Sequence, residues 1–400
     1  MSGVMRIEEP SRPQPGGFAL WELGFRPFYL LASGFAALSI ALWALQFAGW
    51  LGTPYLSGPL WHAHEMIFGF VLAVIVGFLF TAGRNWSNQP TPTGAALAAL
   101  AALWVAARVL VLTPWGWAAA AANVGFVLAA ALGLGRALFA ARNQRNYFFV
   151  GLLLLLGAAS LAVHLQLLGV LALPAWAGIT LALDVVLFIM AVMAGRVVPM
   201  FTNNGVPGAN ATRRPVVEKL ALGTVLALAL ADVLPLPLPL PGWTLAALAA
   251  LAAAAHLARW VLWQPWTTLR TPLVWVLHAA YLWIPVHLGL RAAAALGAVP
   301  PSLATHALTA GAAGGLIIGM MTRTARGHTA RPLRADRVDI ACYLLVLGAA
   351  LLRVGVPLLQ PAWNLPAVLA SAALWSAGFA LYAWRYTPVL LRARLDGKPG

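Results

Sequence analysis

Residues Trp61–Met66 read WHAHEM, two imidazoles and a carboxylate in an otherwise apolar stretch. Neutral imidazole ligates haem iron, copper and zinc alike. Polar groups placed in lipid are costly unless something satisfies them. At about 100° per helical residue, His62 and His64 point to roughly opposite faces, so a regular helix would not bring both to one ion. On that wheel His62, Glu65 and Met66 share one face, and His64 and Phe68 the other. Three more histidines, His164, His287 and His306, fall at the same level once the apolar stretches are threaded through a bilayer. Convergence of five histidines suggests metal or cofactor ligation, although a lone intramembrane histidine also serves as a helix–helix contact. His256 and His278 lie nearer the opposite side, and His256 is assigned no role.

Two carboxylates and two guanidiniums complete the candidate set. Asp184 is placed near the middle of a span, where a carboxylate marks a proton route, an ion pair or a ligand. No lysine lies deep within a span, Lys219 standing in the first turns of the seventh, so its partner would be an arginine, a histidine or a metal. Glu65 is the second candidate for proton transfer. Arg291 follows His287 by four residues, on the same face and one turn nearer the surface. Arg108 is a second cation of this kind. Either could hold an anionic cofactor group or simply snorkel to the interface. Cys342 is the only cysteine, which excludes an intrachain disulfide and a cysteine-ligated cluster.

The elements that must position these residues are membrane helices. The chain has 400 residues, 62% hydrophobic and 9% charged, too few charges to coat a soluble surface. Segments of about 20 apolar residues cross a bilayer. Twelve spans are read, at 27–49, 62–82, 94–113, 116–138, 147–170, 174–199, 215–234, 241–263, 272–296, 302–322, 337–356 and 364–390. The expectation is an all-α bundle of about twelve transmembrane helices. Residues 1–26 would form a short cytoplasmic tail, 27–390 a single transmembrane domain and 391–400 a basic cytoplasmic tail.

The net charge of +15 suggests nucleic acid at first sight. Its placement argues otherwise, because arginines crowd every second connection. That is the positive-inside pattern, with both termini cytoplasmic and basic loops against lipid headgroups. Two of those loops, GRVVPMFTNN (Gly195–Asn204) and TRTARGHTARP (Thr322–Pro332), suit either an anion site, with His328 as a ligand, or ordinary solvated turns. Internal repeats, nucleotide fingerprints and a CxxCH attachment site are not evident.

Four stretches together resemble the NnrS family: GFRPFYL (Gly24–Leu30), WHAHEMIFG (Trp61–Gly69), GRVVPMFTNN, and the run from His306 through MMTRTARGHTARP. The resemblance covers the chain from span 1 past span 10. It implies a twelve-spanning, multi-pass protein of the bacterial inner membrane that contains haem and copper and takes part in tolerance of nitric oxide. The resemblance implies the haem and the copper but no ligand set; from the placement of the residues in this sequence, His64 and His306 are the expected axial pair of a b-type haem. His287 with His62 or His164 would form a copper site. Arg291 and Arg108 would neutralise propionates, and Asp184 and Glu65 would serve proton transfer. A coarser likeness exists to the large subunit of haem–copper oxidases and nitric oxide reductases, which carries haem histidines on its second and tenth helices. The chain departs from it in span 7, which has no histidine, and in span 6, where Asp184 stands in place of a histidine motif.

Nitric oxide reduction would need electrons, so a quinol or a cytochrome is the expected partner. A transporter of metal, haem or a small anion, and a haem sensor or delivery protein without turnover, are the alternatives the residues leave open.

Overall fold

A computed structural model describes residues 17–50, 55–174, 176–233 and 240–398. Most of the expected N-terminal tail, residues 1–16, lies outside the described residues, as do parts of three connections (51–54, 175 and 234–239) and residues 399–400. All regular structure among the described residues is helical. Twelve helical rods follow in order: α1 (Phe25–Phe47), α2 (Gly58–Ser87), α3 (Gly94–Leu110), α4 (Gly116–Ala140), α5 (Gln144–Leu167), α6 (Ala177–Gly205), α7 (Pro215–Val233), α8 (Gly242–Leu262), α9 (Pro272–Ala295), α10 (Pro301–His328), α11 (Arg337–Leu359) and α12 (Pro361–Leu391). Ten of them are long and apolar enough to cross a membrane; α3 and α7 complete the set. The chain is a multi-pass helical membrane protein.

Local sequence sets the helix boundaries. Pro59, Pro272 and Pro301 open α2, α9 and α10, where a missing N–H costs nothing. Asp336 caps α11 by accepting from the backbone N–H of Val338 and Asp339, and the Asp339 carboxylate returns the bond to the Asp336 N–H. Pro285 cannot donate to the carbonyl four residues back, and α9 breaks at Leu282, just beyond that carbonyl at Tyr281. α6 runs through Pro199 to Gly205, further than the sequence suggested. Asp184 therefore stands about two turns from the start of α6 rather than near its middle.

Helix α12 packs along α1 and α11, joining the two ends of the chain. Arg26 fixes that junction by donating to the carbonyls of Leu390 and Arg392. α1 and α2 approach closely because Gly24 lies against Phe80 and Gly77 against Phe28, where a Cβ would collide.

Helices α2 and α10 repeat one design that the sequence reading missed. Each opens as α-helix up to a histidine, His64 or His306, and then widens into a π segment, Glu65–Val71 or Ala307–Ala313. Glycines stand five and thirteen residues after each histidine, at Gly69 and Gly77 and at Gly311 and Gly319; an arginine stands twenty after, at Arg84 and Arg326. Beyond the π segments, Val71, Val74, Ile75 and Phe78 on α2 and Ala313, Leu316, Ile317 and Met320 on α10 form matching apolar stripes. With α1, α6 and α9 they surround a central cavity of about 100 Å³.

Candidate metal centre at the histidine end

The end of the bundle formed by the starts of α2, α6 and α10 and the ends of α3, α5 and α9 carries all five candidate histidines. His64 and His164 are fully buried and face each other, with Nε2 to Nε2 at 3.2 Å. The outer nitrogen of each ring is anchored. His64 Nδ1 lies 2.8 Å from Glu65 Oε1, and His164 Nδ1 lies 3.0 Å from the Tyr55 hydroxyl. Arg108 Nη1 donates to the same Glu65 oxygen at 2.5 Å, and Arg108 Nη2 donates to Asn123 Oδ1. Asn123 in turn donates to the Ala119 carbonyl at 2.8 Å.

This chain of contacts fixes the tautomers. A carboxylate paired with arginine only accepts, so the His64 proton sits on Nδ1 and Nε2 keeps its lone pair. The Tyr55 hydroxyl donates to His164 Nδ1, which leaves the His164 Nε2–H to donate to His64. If the His164 proton shifts to Nδ1, with the Tyr55 oxygen accepting instead of donating, both Nε2 atoms become neutral ligands. Metal–imidazole bonds of about 2.0–2.1 Å at a tetrahedral angle place two ligand nitrogens about 3.3 Å apart. The observed gap matches a two-histidine chelate. The carboxylate–histidine arrangement behind it is the usual outer support of a metal ligand.

The other three histidines are arranged differently. His62 stacks on Trp43 at 4.9 Å between ring centroids and lies parallel to His306 at 6.1 Å. Its Nδ1 is buried with no hydrogen-bond partner. His306 Nδ1 donates to the Ser302 carbonyl at 2.7 Å, so its Nε2 is the unprotonated nitrogen. His287 does the same with the Ala304 carbonyl at 2.8 Å, and its buried Nε2 has no partner at all. An unpaired lone pair in the interior is expensive unless it awaits a ligand or water.

The grouping thus differs from the expected one. The structure pairs His64 with His164 and His62 with His306, because His62 and His64 do leave α2 on opposite faces. Glu65 sides with His64 rather than with His62, at the point where α2 widens into its π segment. Among the described residues, no group of three or more His, Cys, Asp or Glu side chains forms a complete metal-binding cluster. Arg291 donates to Asp232 Oδ2 at 2.5 Å and to Asp184 Oδ1 at 3.4 Å, while Asp184 Oδ2 is buried without a partner. Arg291 and Arg108 are thus both engaged by protein groups.

Sequence reading overlooked Tyr55, Asn123 and Arg353. Asn123 and Arg353 were visible as single polar residues inside apolar spans. Arg353, on α11, places its charge near both His62 and His306, and no carboxylate pairs with it among the described residues.

At the opposite end the polar groups serve mainly as braces. His256 bridges the Tyr281 hydroxyl at 2.7 Å and the Ala221 carbonyl at 3.1 Å. Arg259 grips both oxygens of Glu218 at 2.9 and 2.5 Å, and Gly195 leaves room for its guanidinium. Arg326, in the second arginine-rich motif, binds Asp339 and Asp336. His328 packs on Phe25 instead of pointing at a polar partner.

A family model described as NnrS protein matches residues 19–394. The chain belongs to the NnrS family. No curated protein matches it. The NnrS family is associated with haem and metal in general. The donor sets described above fit a copper-type ion at His64 and His164. They also offer haem iron an imidazole at His306 or His287. The central cavity, far below the roughly 300–1,000 Å³ of pockets for larger ligands, is too small for a haem.

Proposed function

We propose that this NnrS-family chain is a haem- and copper-binding protein of the bacterial inner membrane that handles nitric oxide in nitrosative stress. The observation that carries this reading is the His64–His164 pair, two buried imidazoles at chelating distance with their far nitrogens already held. Copper would be bound there. Haem iron would be bound through His306, beside His62, with Arg353 supplying the cation that a propionate needs. A bound metal would pass on electrons from an external donor and supply the open coordination position that nitric oxide chemistry requires.

The protein's own contribution is positioning and charge. Glu65 and Arg108 keep His64 in the ligating tautomer. Tyr55 orients His164. Asp184, with one oxygen on Arg291 and the other buried without a hydrogen-bond partner, would serve proton transfer. The positively charged end of the bundle would face the cytoplasm, which puts the histidine end outward. A quinol or a cytochrome would deliver electrons.

The test is the reduced pyridine haemochrome spectrum of detergent-purified protein, with iron and copper measured on the same sample. Haem and copper each near one per chain, followed by nitric oxide consumption with a reduced donor, is the expected result. Folded protein devoid of both metals would overturn the reading. Stoichiometric haem without consumption would replace turnover by sensing or delivery.

A further inference from the structure

Between α2, α6 and α10 lies an apolar recess with room for about 100 Å³, partly open where Ile75, Phe78, Met190, Met193, Val197 and Met320 are half-buried, whose lining carries a single polar side chain, Tyr29. An apolar recess that opens toward lipid stays dry, because a water needs two to four polar partners; a sealed apolar void of about 150 Å³ lined by Leu, Ile and Phe likewise takes up benzene or xenon instead. The space here would admit a diatomic gas.

Its position gives that space a purpose. The π segment of α2 begins at the residue after His64 and ends at Val71, which lines the cavity. The π segment of α10 begins after His306 and ends at Ala313, which also lines it. Seven residues at up to about 1.5 Å each put the cavity roughly 10 Å below the histidines. π-Helical turns cost helix stability and recur at functional sites. Here two of them span the same interval, between the histidine level and the same void. On the far side the lining includes Met190, Met193 and Met320, flexible thioethers that can yield to a guest.

We infer that the bundle centre, lined from Val71 to Phe78 on α2 and from Ala313 to Met320 on α10, is a dry docking chamber for a small apolar gas serving the histidine end. That the gas is nitric oxide rests on the function proposed above; the chamber itself does not. A gas dissolved in lipid partitions into such a void from the membrane, and is concentrated there next to the metal ligands.

The experiment is structure determination of the full-length protein under xenon pressure, paired with xenon NMR of the same sample in detergent. Xenon density between Val71 and Ala313 is expected, and Ala313→Phe should abolish it. Val186→Phe, which fills the same space from α6, should do so independently. Displacement of xenon by nitric oxide and by dioxygen, measured separately, identifies which gas the chamber prefers. His64→Ala should keep the xenon site while losing metal, so failure of the metal reading leaves this one standing. Absence of xenon in the wild-type protein, or ordered water or a lipid chain in the void, would overturn the proposal.

Discussion

His64 and His164 present their Nε2 atoms to each other across 3.2 Å, although a hundred residues and two intervening helices separate them in the chain. Only one N–H holds this contact together, so a shift of its proton to Nδ1 of His164, where the Tyr55 oxygen can accept it, gives a metal ion two ligands without moving either helix. His64→Ala and His164→Ala should each abolish tight copper binding while leaving the helical content unchanged. Copper by elemental analysis and far-UV circular dichroism on the same preparations check this. Full copper in both variants would move the site elsewhere.

Glu65 has two tasks, and they predict two different losses. It orients His64, and changing such an outer-shell carboxylate typically costs 10–100-fold in metal affinity. It also neutralises Arg108, which is buried with it. Breaking a buried pair from one side costs about 3–5 kcal/mol because a bare charge is left behind. Glu65→Gln should therefore lower both copper affinity and the melting temperature. Glu65→Gln combined with Arg108→Met should recover much of the stability and none of the affinity. Equal melting temperatures for the wild type and Glu65→Gln would show that the pair contributes nothing.

Arg353 should matter to haem and not to copper. Arg353→Leu removes a charge near His62 and His306 from an apolar span, so it should leave folding intact and weaken haem retention. The pyridine haemochrome against copper content separates the two. Unchanged haem would assign propionate binding to another group.

Much of this was legible in the chain. The hydropathy pattern showed twelve rods, and the level of the five histidines could be read by threading them through a bilayer. The wheel at WHAHEM correctly separated His62 from His64. The pairing was not legible, because contacts between α2 and α5 or between α2 and α10 depend on the order of helices around the bundle, which period alone does not specify. Glu65 was put on the wrong side because a regular helix was assumed where α2 widens. The repeat of α2 in α10 escaped notice because it rests on one histidine, two glycines and one arginine amid otherwise interchangeable apolar residues. Asp184 was read as nearer the middle of its helix than it is because α6 continues past Pro199 to Gly205.

Gly195 tests whether the first arginine-rich motif is a brace. A Cβ at this position would run into the Arg259 guanidinium, which holds Glu218 with two bonds and also donates to the Ala191 carbonyl at 2.7 Å. Overpacking of this kind costs about 1–3 kcal/mol. Gly195→Ala should melt several degrees lower than the wild type. Gly223→Ala is the control: nothing lies within 4 Å of its added Cβ, and it should be neutral or slightly stabilising. Identical melting for the two variants would dismiss the steric account.

Asp336 should give the basic end an acid-sensitive clasp. Partial burial opposes its ionisation, but hydrogen bonds from Arg385 and from the Asp339 backbone, with the charge of Arg326, prevail and hold its carboxyl down at about 2. Folding therefore favours the ionised form. The resulting stability is fully present above the ordinary aspartate value of about 3.9 and is lost as pH falls through the folded value near 2. Asp336 is more than a third exposed, so water and salt screen the pair and the effect stays small, within the range of about 0–1 kcal/mol for exposed ion pairs. Arg385→Ala should lower the melting temperature slightly at pH 7 and at pH 5, and the difference from the wild type should shrink as pH drops from 4 toward 2. It should also shrink in high salt. A difference that grows on acidification would reverse the sign of the linkage and show that Arg385 acts through packing or some other group.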